Sequence, residues 1–148
     1  MADKKIGTIE LEKGGSIVIE FYSDVAPNTV ANFEKLANEG FYNGLNFHRI
    51  VPNFVVQGGD PKGDGTGGPG YKIKAEFSER KHLTGSVAMA RSQDVDSAGS
   101  QFYICLEPQP SLDRKYTVFG QVTEGMELVK GIRKGDKMKS VKVETRPA

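Results

Sequence analysis

The sequence contains no tryptophan, a single cysteine and only two histidines. One thiol, Cys105, excludes any disulfide within the chain. Excess charge is missing too: twenty Lys and Arg stand against nineteen Asp and Glu, a net of +1. That balance weighs against a dedicated binder of nucleic acid or acidic membranes, whose affinity rests on many phosphate contacts. No window approaches the roughly 18 apolar residues of a membrane span. The opening Met-Ala-Asp-Lys-Lys-Ile-Gly-Thr has no apolar run after its basic pair, which points to a cytoplasmic protein. Nucleophile elbows such as Gly-x-Ser-x-Gly are absent. Two histidines and one cysteine are a poor set for a metal, which usually takes three or more ligands of that kind. The expectation is therefore no metal and no cofactor.

The 148 residues suit one domain, residues 1–148, with enough chain to bury a core unaided. Apolar residues make up 37% and charged ones 26%, an ordinary folded mixture, but 18 glycines are an excess that needs explaining. Alternation dominates the start. Gly7, Ile9 and Leu11 share one face, and Ile17, Ile19 and Phe21 repeat the pattern after Lys13-Gly14-Gly15, as in an antiparallel hairpin. The period then lengthens: Val30, Phe33, Leu36 and Ala37 follow Pro27 at helical spacing, and Gly40 is a suitable stop, giving a helix over about 27–39. Strand-like runs occupy 47–57 (interrupted by Pro52-Asn53), 86–90, 102–106, 116–123 and 140–145. A second helix is expected over 125–134, with Gly131 as its weak spot. Many short strands with two helices predict a mainly β fold, a barrel or sandwich capped by helices. A small closed barrel fills its interior with side chains, so a binding site belongs on the outer face or in the loops.

Several tempting features carry little. Gly63-x-Gly65-x-x-Gly68 spells a dinucleotide fingerprint, but Gly68-Pro69-Gly70 follows where a helix must begin. Seven glycines among residues 58–70 are better explained by positive φ or by close approach to a neighbour. Asp60, Asp64, Asp94 and Asp96 lack the ligand spacing of a calcium loop and read as solvated turn carboxylates. His48 reads as a hydrogen-bonded structural residue. His82 lies in a polar connection and is expected to face solvent. Cys105, between Ile104 and Leu106, reads as a small buried hydrophobe.

One stretch is more telling: Phe47-His48-Arg49-Ile50-Val51-Pro52-Asn53-Phe54-Val55-Val56-Gln57-Gly58-Gly59-Asp60. An arginine in an apolar strand is costly unless its donors find partners. A core-edge salt bridge would satisfy it; a groove shared with Gln57 explains it better. Met89-Ala90-Arg91 with Gly99-Ser100-Gln101-Phe102-Tyr103 adds a second block, and Leu112-Asp113-Arg114-Lys115-Tyr116-Thr117-Val118-Phe119-Gly120 a third.

Together these blocks resemble the cyclophilin family of peptidyl-prolyl cis–trans isomerases over about Ile6 to Val143, and the compact loops look like those of short bacterial members. The resemblance implies a closed eight-stranded antiparallel β-barrel capped by two α-helices, with the substrate groove outside. It implies that Arg49 is the catalytic arginine and Gln57 the residue that orients it. Phe54, Val55 and Leu112 match the proline pocket, with Met instead of Val55 in many relatives. Ala90, Arg91 and Gln101 match groove positions; many eukaryotic members have Asn where Arg91 stands. Tyr103 falls where Phe is usual, so a hydroxyl is expected in the pocket wall. Tyr116 replaces a frequent His. Ser111 stands where cyclosporin-binding members have Trp, which implies weak cyclosporin binding. The implied partners are proline-containing peptides and unfolded protein chains, with no nucleic acid, no membrane and a monomeric state. A rival reading is a binding module that holds proline-containing segments with incidental catalysis, but intact Arg49, Phe54 and Gln57 favour an enzyme. A β-barrel for single-stranded nucleic acid would need a basic groove with stacking aromatics, which +1 and no Trp disfavour.

Overall fold

A computed structural model describes residues 4–147. Its elements run β1 Lys4–Leu11, β2 Ser16–Phe21, α1 Pro27–Asn38, β3 Phe47–Val51, β4 Val55–Gly58, β5 Ser86–Met89, β6 Phe102–Cys105, β7 Val118–Glu124, α2 Met126–Lys130 and β8 Met138–Arg146. The fold is mainly β, one eight-stranded antiparallel sheet in the order β3-β4-β6-β5-β7-β2-β1-β8, with two α-helices.

The hairpin forms as the alternation requires. Ile9 pairs with Ile17 and Gly7 with Ile19, and the turn needs positive φ at Gly14 (105°) and Gly15 (99°), which glycine adopts without steric cost. Helix α1 starts at Pro27, where the missing N–H breaks no intrahelical bond. No neighbouring side chain caps it. Instead Glu76, far along the chain, accepts the Thr29 N–H (2.6 Å) and hydroxyl (2.7 Å), and the Asn28 N–H at 3.3 Å.

The buried face of α1 sends Phe33 into the sheet's concave side, where its ring lies 5.0–5.5 Å from those of Phe21, Tyr42, Phe102 and Phe119. Ile9, Ile17, Ile19, Val56, Val87, Ile104 and Met138 complete this dry interior. With it full of side chains, a ligand can only bind elsewhere.

Two expectations need correction. The sheet is curled rather than closed by a continuous ladder. Its end strands, β3 and β8, share only the bridge Asn46↔Lys137 and neighbouring backbone bonds, such as Phe47 N–H to Asp136 O (2.9 Å) and Met138 N–H to Leu45 O (2.9 Å). Helix α2 also stops at Lys130 instead of reaching Lys134, because Gly131 ends it and the Asp136 carboxylate draws the Arg133 N–H (2.8 Å) into a turn. Among the described residues, no helix is long and apolar enough to cross a membrane.

Removing the central ring tests this core. Phe33→Ala should cost about 3–5 kcal/mol of unfolding free energy in a denaturant titration. A loss under about 1 kcal/mol would show that the interior does not depend on it.

Candidate active site

Strand alternation builds a second, outward-facing apolar surface. On β4, Val56 points inward while Val55 and Gln57 point out. On β6, Phe102 and Ile104 point inward while Tyr103 and Cys105 point out. Pairing sets Gln57 beside Tyr103, Tyr103 beside Ala88, and Arg49 beside Gln57. Val55, Ala88, Tyr103, Cys105 and Val118 are buried in this outer layer, with Phe54, Ala90, Leu112 and Tyr116 half-buried around them. Cys105 is buried as expected, and burial pushes its thiol up to about 12.

A cleft of about 370 Å³ opens over this layer, lined by Arg49, Phe54, Val55, Gln57, Ala90, Arg91, Tyr103, Leu112 and Tyr116 together with His48, Asp64 and Gly65. A second cleft of about 550 Å³ adjoins it, sharing Gln57, Gly65, Ala90 and Arg91 and adding Gln101 and the glycine loop. The ten positions singled out in the sequence therefore meet on one continuous surface.

A chain of polar contacts runs across it. Arg49 Nη1 donates to Gln57 Oε1 (3.2 Å), Gln57 Nε2 to Gln101 Oε1 (3.0 Å), and Gln101 Nε2 to the carbonyls of Gly65 and Gly67 (both 3.0 Å). Its direction is forced. Guanidinium has only donors, so Gln57 must face it with oxygen; Gln57 then offers nitrogen to Gln101, whose own nitrogen is left for the loop carbonyls. Arg49 is exposed, its guanidinium 6.0 Å from the centre of the Phe54 ring, and the chain occupies one of its five donors.

The glycine loop anchors that chain. It has no helix, consistent with rejecting the dinucleotide motif. Asp60, expected to be solvated, is instead buried at 1% exposure. Its carboxylate accepts backbone N–H groups from Lys62 (2.8 Å), Asp64 (3.0 Å) and Gly65. Burial alone would raise its pKa, but these N–H donors, with that of Gly67, outweigh it and hold the group below its ordinary 3.8. A Cβ on Gly67 would stand 2.1 Å from Asp60 Oδ1, so the loop closes around the carboxylate only with glycine there. Asp64, Asp94 and Asp96 are exposed as expected.

Three further expectations change. His48 Nδ1 is buried with no hydrogen-bond partner among the described residues, and desolvation first of all holds its pKa down. His82 does not face solvent: it is 1% exposed, with Nε2 2.8 Å from the Tyr103 hydroxyl and Nδ1 3.0 Å from Asp113 Oδ1. Consequently the Tyr103 ring forms pocket wall while its hydroxyl turns to His82. Arg91 lines both clefts, in keeping with its matched groove position, and spends its donors on its own chain. Nε and Nη2 donate to the Lys115 carbonyl (3.2 and 2.7 Å), and the guanidinium lies 4.5 Å from the Tyr116 ring centre. Ser111 is exposed in the 3-10 turn Pro110–Leu112 at the edge of the cleft. Among the described residues, no three His, Cys, Asp or Glu side chains cluster as metal ligands would.

Residues 7–147 match the family model described as cyclophilin type peptidyl-prolyl cis-trans isomerase. Peptidyl-prolyl cis-trans isomerase B of Bacillus subtilis is 55% identical over 142 residues, covering 95% of this chain and 99% of that protein. A peptidyl-prolyl cis-trans isomerase of Synechococcus elongatus is 51% identical over 139 residues, covering 93% and 94%. In structure, a Cryptosporidium parvum cyclophilin type isomerase, crystallised in the presence of the dipeptide Ala-Pro, superposes with a TM-score of 0.86 at 26% identity, covering 94% of this chain and 98% of that one.

The loop anchor makes a pH prediction. The folded pKa of Asp60 lies below its ordinary 3.8, so the unfolded chain binds the proton first on acidification. Its contribution is present above pH 3.8 and lost as pH falls through the folded value. Asp60→Asn should cost about 2–3 kcal/mol at pH 7 and make stability fall less steeply below pH 4 in thermal melts. Equal acid slopes in the two proteins would remove Asp60 as an anchor.

Proposed function

The chain belongs to the cyclophilin-type peptidyl-prolyl cis-trans isomerases and is an enzyme of that class, and on that premise we propose how its cleft turns the X-Pro bond. Resonance holds the amide planar behind a barrier of about 18–20 kcal/mol, so unassisted rotation takes tens to hundreds of seconds. Twisting removes the resonance and leaves the prolyl nitrogen with a lone pair that can accept a hydrogen bond. A donor placed at that nitrogen binds the twisted state better than the planar one, which is what lowers a barrier. Rotation breaks no covalent bond, so the proposed chemistry calls on no nucleophile, metal or cofactor.

Arg49 supplies the donor in this reading. It is a permanent cation with directional N–H groups. The observation that carries the proposal is its setting: Gln57 holds one guanidinium nitrogen at 3.2 Å while the side chain stays exposed over the cleft beside Phe54. Phe54, Val55, Tyr103 and Leu112 hold the pyrrolidine ring, and Ala90, Arg91, Gln101 and Tyr116 border the flanking peptide, Arg91 through the loop it fixes. An acceleration on the order of 10⁵ requires about 7 kcal/mol. A preorganised donor supplies roughly 3–4 of that and positioning the remainder.

The Ala-Pro dipeptide named with the Cryptosporidium parvum structure supports proline-containing peptides as substrates here. The family match over residues 7–147 supports one isomerase domain over 1–148. Assistance to folding chains in the cytoplasm, as a monomer, belongs to the same proposal. A pure binding module is the alternative, and catalysis separates the two.

Arg49→Ala should lower isomerase turnover by roughly two to three orders of magnitude in a protease-coupled peptide assay, with the circular dichroism of the folded protein unchanged. Near-normal turnover would sink the assignment. Because exposed Ser111 replaces Trp, inhibition by cyclosporin should need micromolar or higher concentrations; nanomolar inhibition would contradict the reading.

A further inference from the structure

Behind the cleft lies a polar chain, centred on buried His82, that the isomerisation mechanism does not use. The His82 side chain is fully buried, yet both ring nitrogens have partners: Asp113 Oδ1 at 3.0 Å on Nδ1 and the Tyr103 hydroxyl at 2.8 Å on Nε2. The same Asp113 oxygen also accepts the His82 backbone N–H at 2.7 Å.

The proton positions follow from the partners. The His82 N–H holds Asp113 below the ordinary carboxylate range despite opposing desolvation, so its carboxylate only accepts. His82 is pushed down by desolvation, which outweighs the attraction of Asp113, and is neutral near pH 7. A neutral imidazole donating from Nδ1 must accept at Nε2. The Tyr103 hydroxyl therefore donates to His82.

The chain ties together two separately folded walls of the cleft. Tyr103 comes from β6, and Asp113 directly follows Leu112 at the end of the 3-10 turn. The Tyr103 ring lies parallel to His82 (centroids 5.9 Å apart, 11°), and Tyr116 packs edge-on against both. The His82 carbonyl also accepts the Gln109 N–H at 2.8 Å, holding the start of the same loop. An apolar side chain at 82 could fill this space without desolvating an imidazole. What it could not do is set the depth of the Tyr103 ring against Leu112 through hydrogen bonds of fixed length.

We propose that Asp113, His82 and Tyr103 are positioning residues that fix the width of the proline pocket by tying the Leu112 loop to β6. The inference rests on reading the cleft as that pocket. It places the effect on the apolar grip of the substrate ring and leaves the Arg49 donor intact. The chain is thus expected to act on KM and to spare kcat.

The test pairs two substitutions with one spectrum. His82→Gln can still accept from Tyr103 and donate to Asp113, whereas His82→Leu fills similar space without polar atoms. On an Ala-Pro peptide, His82→Leu should raise KM roughly tenfold with kcat within about twofold, while His82→Gln keeps KM within about threefold. In the wild-type protein, ¹⁵N NMR of the imidazole should show Nδ1 protonated and Nε2 bare. The opposite tautomer overturns the proposal, even if His82→Leu does not fold. So does a folded His82→Leu with normal KM, or equal KM in the two variants. Arg49→Ala, run alongside, keeps the two readings apart: lost turnover there with normal KM in His82→Leu defeats the chain alone, and normal turnover defeats the site.

Discussion

In the proposed mechanism, Arg49 can act as the donor because Gln57 holds one of its guanidinium nitrogens over the cleft. A long flexible cation on a strand is disordered by default, and holding it costs side-chain entropy. Here the restraint passes from Arg49 to Gln57, from Gln57 to Gln101, and from Gln101 to two loop carbonyls. Each link has a forced polarity, so no amide can flip without breaking two contacts. The far end is fixed in turn by Asp60, which gathers the N–H groups of its glycine loop. In the proposed mechanism, a buried carboxylate that lines neither cleft thereby helps aim a cation at the surface.

The same economy explains why the site is outside the sheet. A single period-two pattern serves both faces of β4, β5 and β6. Val56, Val87 and Ile104 seal the interior, and Val55 and Tyr103 floor the cleft with Ala88 buried beside them. Those strands are therefore buried on both sides although the sheet is antiparallel, and the loop bearing Leu112 and Tyr116 is their outer cover. Arg91, bonded to the Lys115 carbonyl, is one fastening of that cover, and Asp113 to His82 is another.

Local features were legible in the sequence. The hairpin at Gly14-Gly15 and helix α1 after Pro27 follow from neighbours within a few residues, and both formed as read. What escaped depends on distant partners. The seam between β3 and β8 consists of backbone bonds such as Phe47 to Asp136, which no side-chain pattern announces. That Arg49, Gln57 and the eight other matched positions belong to one surface was legible because their order along the chain forms distinctive blocks. His82 was not, since Lys81-His82-Leu83-Thr84 looks like any polar connection. A clue did exist in Phe102-Tyr103-Ile104-Cys105, where a hydroxyl in an apolar strand needs a partner. Asp60 carried a similar clue, one carboxylate among many glycine N–H groups.

The central claim is that the Gln57 amide aims Arg49 at the twisted bond and contributes little to ground-state grip. Two-dimensional exchange NMR on an Ala-Pro peptide, with catalytic amounts of wild-type or Gln57→Leu protein, tests it most directly. The account predicts that Gln57→Leu slows cis–trans exchange by roughly an order of magnitude or more, while shift titration gives nearly unchanged peptide affinity. Unaltered exchange, or a loss confined to affinity, would contradict it.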